Sequence, residues 1–205
     1  MRYNRQGAVH YARRFAHVAN PWFRPFPNDC TNFVSQCLWA GGWEMVGPPS
    51  VWNYNNDGAW WYSQISDEDI FSGPNRAADG IKDVAKQAYK LAGGFVGATV
   101  DPHDRYRASF TWAGADNFKT FLERSGRAER APVSDLRPGD IIQAAHQGGF
   151  IHHSMFVVER MTGPGGVNLV YLQHSGYGGP QGTYRDLIER VRKNQEELVC
   201  WRVKG

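Results

Sequence analysis

The segment NDCTNFVSQCLWAGG, residues 28–42, carries two of the chain's three cysteines. Cys30, Phe33, Val34, Cys37 and Leu38 fall at i, i+3, i+4, i+7 and i+8, the spacing of a helix with one apolar face, and Gly41 and Gly42 end it. Asp29 stands directly before the run, so the spacing predicts a helix capped by Asp29 with Cys30 at its first position. There the unpaired amide groups and the positive end of the helix dipole favour thiolate over thiol, the condition for a nucleophilic cysteine near neutral pH. Cys37 lies two turns further on, roughly 10 Å away at ~1.5 Å rise per residue. That separation is too long for a disulfide, and its apolar flank suits a small hydrophobe. The expected division is that Cys30 reacts and Cys37 packs, set against the plainer reading of Cys30 as a buried helix-terminal cysteine.

Working outward, YNRQGAVHYARRFAHVAN (3–20) places Ala8, Ala12, Phe15, Ala16 and Ala19 at helical intervals between Asn4 as cap and Pro21 as stop. From Val46 to Gly80 neither period is visible, and the Pro-, Asn- and Trp-rich stretch GPPSVWNYNNDGAWWYSQ (47–64) reads as a long structured loop or lid. Helices are expected from about Ile81 to Leu91 and from Ala113 to Glu123, the latter entered through SFTW (109–112) and closed near Gly126. LRPGDIIQ (136–143), FIHHSMFVVE (150–159), VNLVYLQHS (167–175) and ELVCWRV (197–203) are β-rich runs separated by Gly and Pro clusters. They predict an antiparallel meander, interrupted by a short charged helix around Asp186 to Lys193. Helices first and strands afterwards give an α+β class, with N-terminal helices packed on a C-terminal antiparallel sheet, in one domain over residues 1–205.

At 205 residues, 41% of them hydrophobic and 14% aromatic, the chain has the makings of one real core. The formal charge of +3 comes from scattered residues. In the one dense run, RDLIERVRKNQEE (185–197), opposite charges interleave at helical spacing. That describes a solvated helix face, not a nucleic-acid surface. The start has no apolar stretch of signal-peptide length and no window approaches the roughly 20 apolar residues of a membrane span. The default compartment is therefore the cytoplasm, unless the sequence is part of a longer exported chain or leaves by another route. Three cysteines is an odd and sparse count, so reduced thiols are expected. With no CxxC, HExxH, GxSxG, phosphate loop or EF-hand pattern, neither a metal nor a cofactor is implied.

A nucleophilic cysteine needs a base. In FIHHSMFVV (150–158) strand alternation puts His153 with Ile151, Met155 and Val157, and His152 with Phe150, Ser154 and Phe156. A strand histidine far along the chain from a helix-terminal cysteine is the arrangement of cysteine hydrolases, in which an imidazole takes the thiol proton and later gives it to the leaving amine. His174, on the neighbouring run, is the candidate for holding the second ring nitrogen, and Gln173 the weaker one. Trp43, Trp52, Tyr54, Trp60, Trp61 and Tyr62 suit either a stacking groove for sugar or peptide or the core beneath a long loop. Trp52, Tyr54, Trp60, Trp61 and His152 are the candidate groove residues.

YNRQGAVHYARRFA, DCTNFVSQCLWAGG, SFTWAGADNFKTFL, PGD, HHS and QHS, in that order, resemble the bacterial putative amidase domain, a branch of the papain-like cysteine hydrolases related to cell-wall endopeptidases and CHAP amidases. The resemblance runs from about Tyr3 to the final strand. It implies a papain-like fold in which Cys30 is the nucleophile, His153 the general base and His174 the residue that orients it. Asp29, Thr31 and Asn32 match the flanking positions, and the Cys30 amide would contribute to an oxyanion hole. His152 stands where relatives often carry an acidic residue, which leaves open which adjacent histidine is the base. The insertion from Asp57 to Gly80 is longer than the family pattern, so the groove is expected to be reshaped.

The function these readings predict is a cysteine-dependent hydrolase of amide or peptide bonds, in peptidoglycan or a related peptide. The rivals are a papain-like module that binds glycan or peptide through the Trp-rich loop without chemistry, and an acyl transferase.

Overall fold

The computed structural model of the protein describes residues 2–26, 28–47, 49, 54–63, 107–164, 166–174, 185–194 and 196–205. The expected helix from Ile81 to Leu91 and the candidate Trp52 lie outside them. Helix α1 spans Arg5–Phe15 and α2 spans Cys30–Ala40. Strand β1 (Tyr62–Ser63) pairs with β2 (Arg107–Ala108), and two helices follow, α3 (Phe110–Ala113) and α4 (Ala115–Ser125). Next come β3 (Ala128–Arg130), a short 3₁₀ turn at Val133–Asp135, β4 (Ile141–Ala145), β5 (Ile151–Gly163) and β6 (Gly166–Leu172). Strand β7 (Arg185–Asp186), helix α5 (Leu187–Asn194) and strand β8 (Glu197–Val203) complete the order. The architecture is thus a mixed one of helices and antiparallel sheet.

The six strands from β3 onward form one sheet in the order β3-β8-β4-β5-β6-β7, with every pairing antiparallel. The run from β4 to β6 is the meander expected from the sequence, and β7, which the sequence did not suggest, pairs on beside β6. β8 departs from the meander, since the last strand returns between β3 and β4. Its anchor is the PGD motif. Asp140, fully buried, accepts from the Val203 amide at 2.9 Å, from the Arg137 amide at 2.9 Å and from Arg5 Nη1 at 2.6 Å. One carboxylate therefore fixes α1, the turn before β4 and the end of β8. Gly139 precedes it at φ +93°, a conformation that favours glycine, and an added Cβ would stand 3.1 Å from Arg5 Cγ.

α1 opens at Asn4, whose side chain accepts from the Gly7 amide at 3.0 Å, and buries Ala8, Tyr11 and Ala12. These meet Phe33, Val34, Cys37 and Leu38 of α2, Phe118, Phe121 and Leu122 of α4, and one face of the sheet through Ile141, Phe156, Leu172 and Trp201. The opposite face of the sheet carries a second apolar layer, with Ile142, Met155, Leu169 and Tyr171 beneath Leu136 and Leu187.

α2 is buried on every side from Cys30 to Leu38, including its polar residues. Tyr11 Oη donates to Gln36 Oε1 at 2.7 Å, Trp60 Nε1 to Ser35 Oγ at 3.1 Å and Trp112 Nε1 to Asn32 Oδ1 at 2.7 Å. Aromatic donors satisfy these polar groups of the helix, which offsets the cost of taking them out of water. The candidate nucleophile thus sits on a helix that is enclosed almost throughout its length.

Candidate active site

Cys30 begins α2, as the periodicity predicts, and is 5% exposed. Asp29 precedes it but makes no side-chain capping bond, in contrast to the expected cap. Its Oδ1 instead accepts from the Phe26 amide at 2.8 Å and from Asn32 Nδ2 at 2.7 Å, while Oδ2 lies 2.5 Å from His174 Nδ1. The carboxylate ties the loop before the helix to the segment just past β6 and leaves the first helical turn without a cap from Asp29.

Burial pushes the Cys30 thiol up, but four influences outweigh it and hold the thiol below its ordinary value. They are the charge of His153, a hydrogen bond from the His153 ring, the Ser154 backbone and the Thr31 hydroxyl. In Cys37 and Cys200 burial dominates, raising the first well above the ordinary value and the second to about 11. All three cysteines are free thiols.

His153 Nε2 lies 2.6 Å from Gln173 Oε1. An amide oxygen only accepts, so Nε2 donates to it, which assigns the bond between the His153 ring and the Cys30 thiol to Nδ1. The structure thus brings together Cys30, His153 and Gln173. His174, expected to hold His153, does not. Its side chain is 3% exposed, and the ring stacks on Phe33 with centroids 4.1 Å apart and places Nε2 2.8 Å from the Phe15 carbonyl and Nδ1 on Asp29. The physical reason is register. Val157 pairs with Tyr171, so alternation from Tyr171 brings Gln173 to the face of His153 and turns His174 to the helices.

The bulge between β4 and β5 explains the adjacent histidines. Ala144 pairs with His153 and Ala145 with Ile151, so His152 is the extra residue. It stacks on His146 with centroids 3.9 Å apart and sets Nε2 3.4 Å from Glu196 Oε1. Asp116, in the first turn of α4, accepts from the Ile151 amide at 3.1 Å and pins the start of β5.

Two candidate groove residues are corrected. Trp60 and Trp61 are buried, the first among Trp43, Trp112 and Phe121, so neither offers a face for stacking. Tyr54 packs on Phe110 at 4.5 Å. Thr31 and Asn32 are fully buried, Asn32 donating to the Arg24 carbonyl at 3.0 Å. Sequence reasoning did not single out Ser154 or Gln143, whose hydroxyl and amide line the sheet beside Thr31. Among the described residues no three His, Cys, Asp or Glu side chains converge as a metal site requires.

Residues 2–175 match the protein family described as "Putative amidase domain". The chain is also similar to the "Uncharacterized protein YhbB" of Bacillus subtilis (strain 168), at 30% identity over 166 residues. That match takes in 78% of this chain and 39% of the relative, so the chain spans about two fifths of the relative's length. No solved structure matches the chain.

Proposed function

The chain belongs to the amidase-domain family, and from that premise we propose that it is a cysteine-dependent hydrolase of amide bonds with Cys30 as nucleophile, His153 as general base and acid, and Gln173 as the group that orients His153. The observation that carries this reading is the union of a helix-terminal thiol held below its ordinary value with a histidine whose distal nitrogen is fixed by an amide oxygen. The base abstracts the Cys30 proton at Nδ1. The thiolate attacks the amide carbonyl carbon, and negative charge gathers on the carbonyl oxygen beside the first turn of α2, where the Cys30 amide would contribute a donor. As the C–N bond breaks, His153 returns the proton to the departing nitrogen, leaving a thioester. A water molecule, deprotonated by the same ring, cleaves the thioester and releases a carboxylic acid and the free thiol.

The arrangement resembles that of papain-like hydrolases, with a helix-terminal cysteine, a strand histidine and an amide just past the end of the next strand. On that analogy the substrate class is a peptide or amide bond of peptidoglycan or a related peptide. Burial of Trp60 and Trp61 removes two residues that a pure stacking module would need. The test is hydrolysis of muropeptides and simple peptide amides by wild type and Cys30→Ala. Loss of all turnover in a folded Cys30→Ala supports the reading, and full retention of turnover contradicts it.

A further inference from the structure

Behind Cys30 runs a chain of buried polar groups whose donors and acceptors fit together in one direction. Trp201 Nε1 only donates, and it meets Gln143 Oε1 at 2.9 Å. That contact fixes the Gln143 amide, and its Nε2 then faces the Ala115 carbonyl at 2.8 Å, which only accepts, and Ser154 Oγ at 3.2 Å. Both amide protons are thereby used. Ser154 Oγ accepts from Gln143, so its own proton goes to Thr31 Oγ1, 3.0 Å away. Thr31 Oγ1 accepts from Ser154, and its remaining partner among the described residues is Cys30 Sγ at 3.7 Å, within hydrogen-bond range of a sulfur. Thr31, Gln143 and Ser154 are fully buried and Trp201 is 1% exposed.

We infer that Gln143, Ser154 and Thr31 are positioning residues for the nucleophile, a one-way hydrogen-bond relay from β8 through β4 and β5 that commits the Thr31 hydroxyl proton to Cys30 Sγ. The inference rests on the reading of Cys30 as the nucleophile. An isolated hydroxyl beside a cysteine rotates to donate or accept as the sulfur requires. Here the only other oxygen within reach among the described residues is Ser154 Oγ, whose own proton already fills that contact, so turning the Thr31 proton toward it would set two protons face to face, and the hydroxyl is a standing donor to Cys30. A standing donor favours thiolate over thiol, because the anion accepts the bond more strongly. It also leaves the Cys30 proton one acceptor, the His153 ring. The amide at the far end is held by backbone and indole on two other elements, so the orientation is built into the packing of α4 and β8.

The test is the pH dependence of Cys30 alkylation by iodoacetamide, followed residue by residue by peptide mass spectrometry, in the full chain and in Thr31→Val, Thr31→Ser and Ser154→Ala. Circular dichroism and a thermal melt establish that each variant is folded. Thr31→Val, which keeps the shape and removes the donor, is expected to move the Cys30 midpoint upward by roughly half to one pH unit. Thr31→Ser restores the wild-type midpoint, and Ser154→Ala moves it upward by less than Thr31→Val. A folded Thr31→Val with the wild-type midpoint overturns the relay, as does Thr31→Ser shifted as far as Thr31→Val. Should Thr31→Val not fold, Ser154→Ala decides, since an unchanged midpoint there overturns the relay too. The wild-type curve separates the two levels: a Cys30 midpoint at or above the ordinary thiol value of about 8.5 removes the nucleophile and the relay with it. A depressed wild-type midpoint unmoved by any variant removes the relay alone.

Discussion

His153 on β5 and Gln173 just past the end of β6 meet, Nε2 to Oε1 at 2.6 Å, and the same ring hydrogen-bonds the Cys30 thiol. The neighbouring His174 serves a different end, linking Asp29 to the Phe15 carbonyl beneath α2. Two adjacent polar residues thus divide their work, one holding the base and the other holding the helix that bears the nucleophile.

Gln173→Ala is expected to lower kcat/KM by roughly 10- to 100-fold, or about 1.4 to 2.7 kcal/mol of transition-state stabilisation. The fold should survive, because the amide ends a strand and fills no apolar layer. Steady-state kinetics with a chemical denaturation curve check this, and a loss of rate explained wholly by unfolding would refute it.

His174→Ala should act mainly on stability. It leaves the buried Asp29 carboxylate without its imidazole partner, and breaking a buried pair costs roughly 3–5 kcal/mol. Urea unfolding measures the loss. A variant as stable as wild type but inactive would return His174 to the chemistry.

Cys37→Ala removes a small side chain from the packed face of α2 and should cost about 1 kcal/mol with the rate unchanged. Cys30→Ala should abolish turnover at little cost in stability. The two variants, compared in one denaturation and activity series, test the division between the packing and reacting thiols.

Stability should fall as pH rises above the ordinary thiol range. Cys200 keeps its proton to about 11 in the folded protein and Cys37 well above its ordinary value, both through burial. An unfolded thiol loses its proton near about 8.5. Between those values the unfolded state binds fewer protons than the native one, so unfolding becomes easier with each step in pH. Urea midpoints taken across that window should decline, and Cys200→Val should flatten the decline. An unaltered slope in the folded variant would contradict the assignment.

How much of this was legible in the sequence depended on distance along the chain. The period of Cys30, Phe33, Val34, Cys37 and Leu38 is local, and it placed both the helix and the cysteine at its head. The alternation through Met155 and Val157 is local as well, and it set His153 apart from Ser154. The partner of His153 required the register of β5 against β6, which joins residues 157 and 171 and leaves no mark in either run alone. The bulge at His152 was hidden for the same reason, since only the pairing of Ala144 and Ala145 reveals the extra residue. Asp29 reads as a cap by residue type, yet a buried histidine, the Phe26 amide and the Asn32 side chain compete for its oxygens and win. Trp60 and Trp61 gave a composition without a direction. Ser35 and the aromatic cluster around Trp112 drew the first of them inward.

The central claim is that His153 holds Cys30 as a reactive thiolate, and the most direct measurement is the alkylation rate of each cysteine against pH in wild type and His153→Ala. Cys30 is expected to react with a midpoint below about 8.5, Cys37 and Cys200 to stay protected to higher pH, and His153→Ala to move Cys30 upward toward them. A Cys30 that titrates with the other two in wild type, or whose midpoint is untouched by His153→Ala, would contradict it.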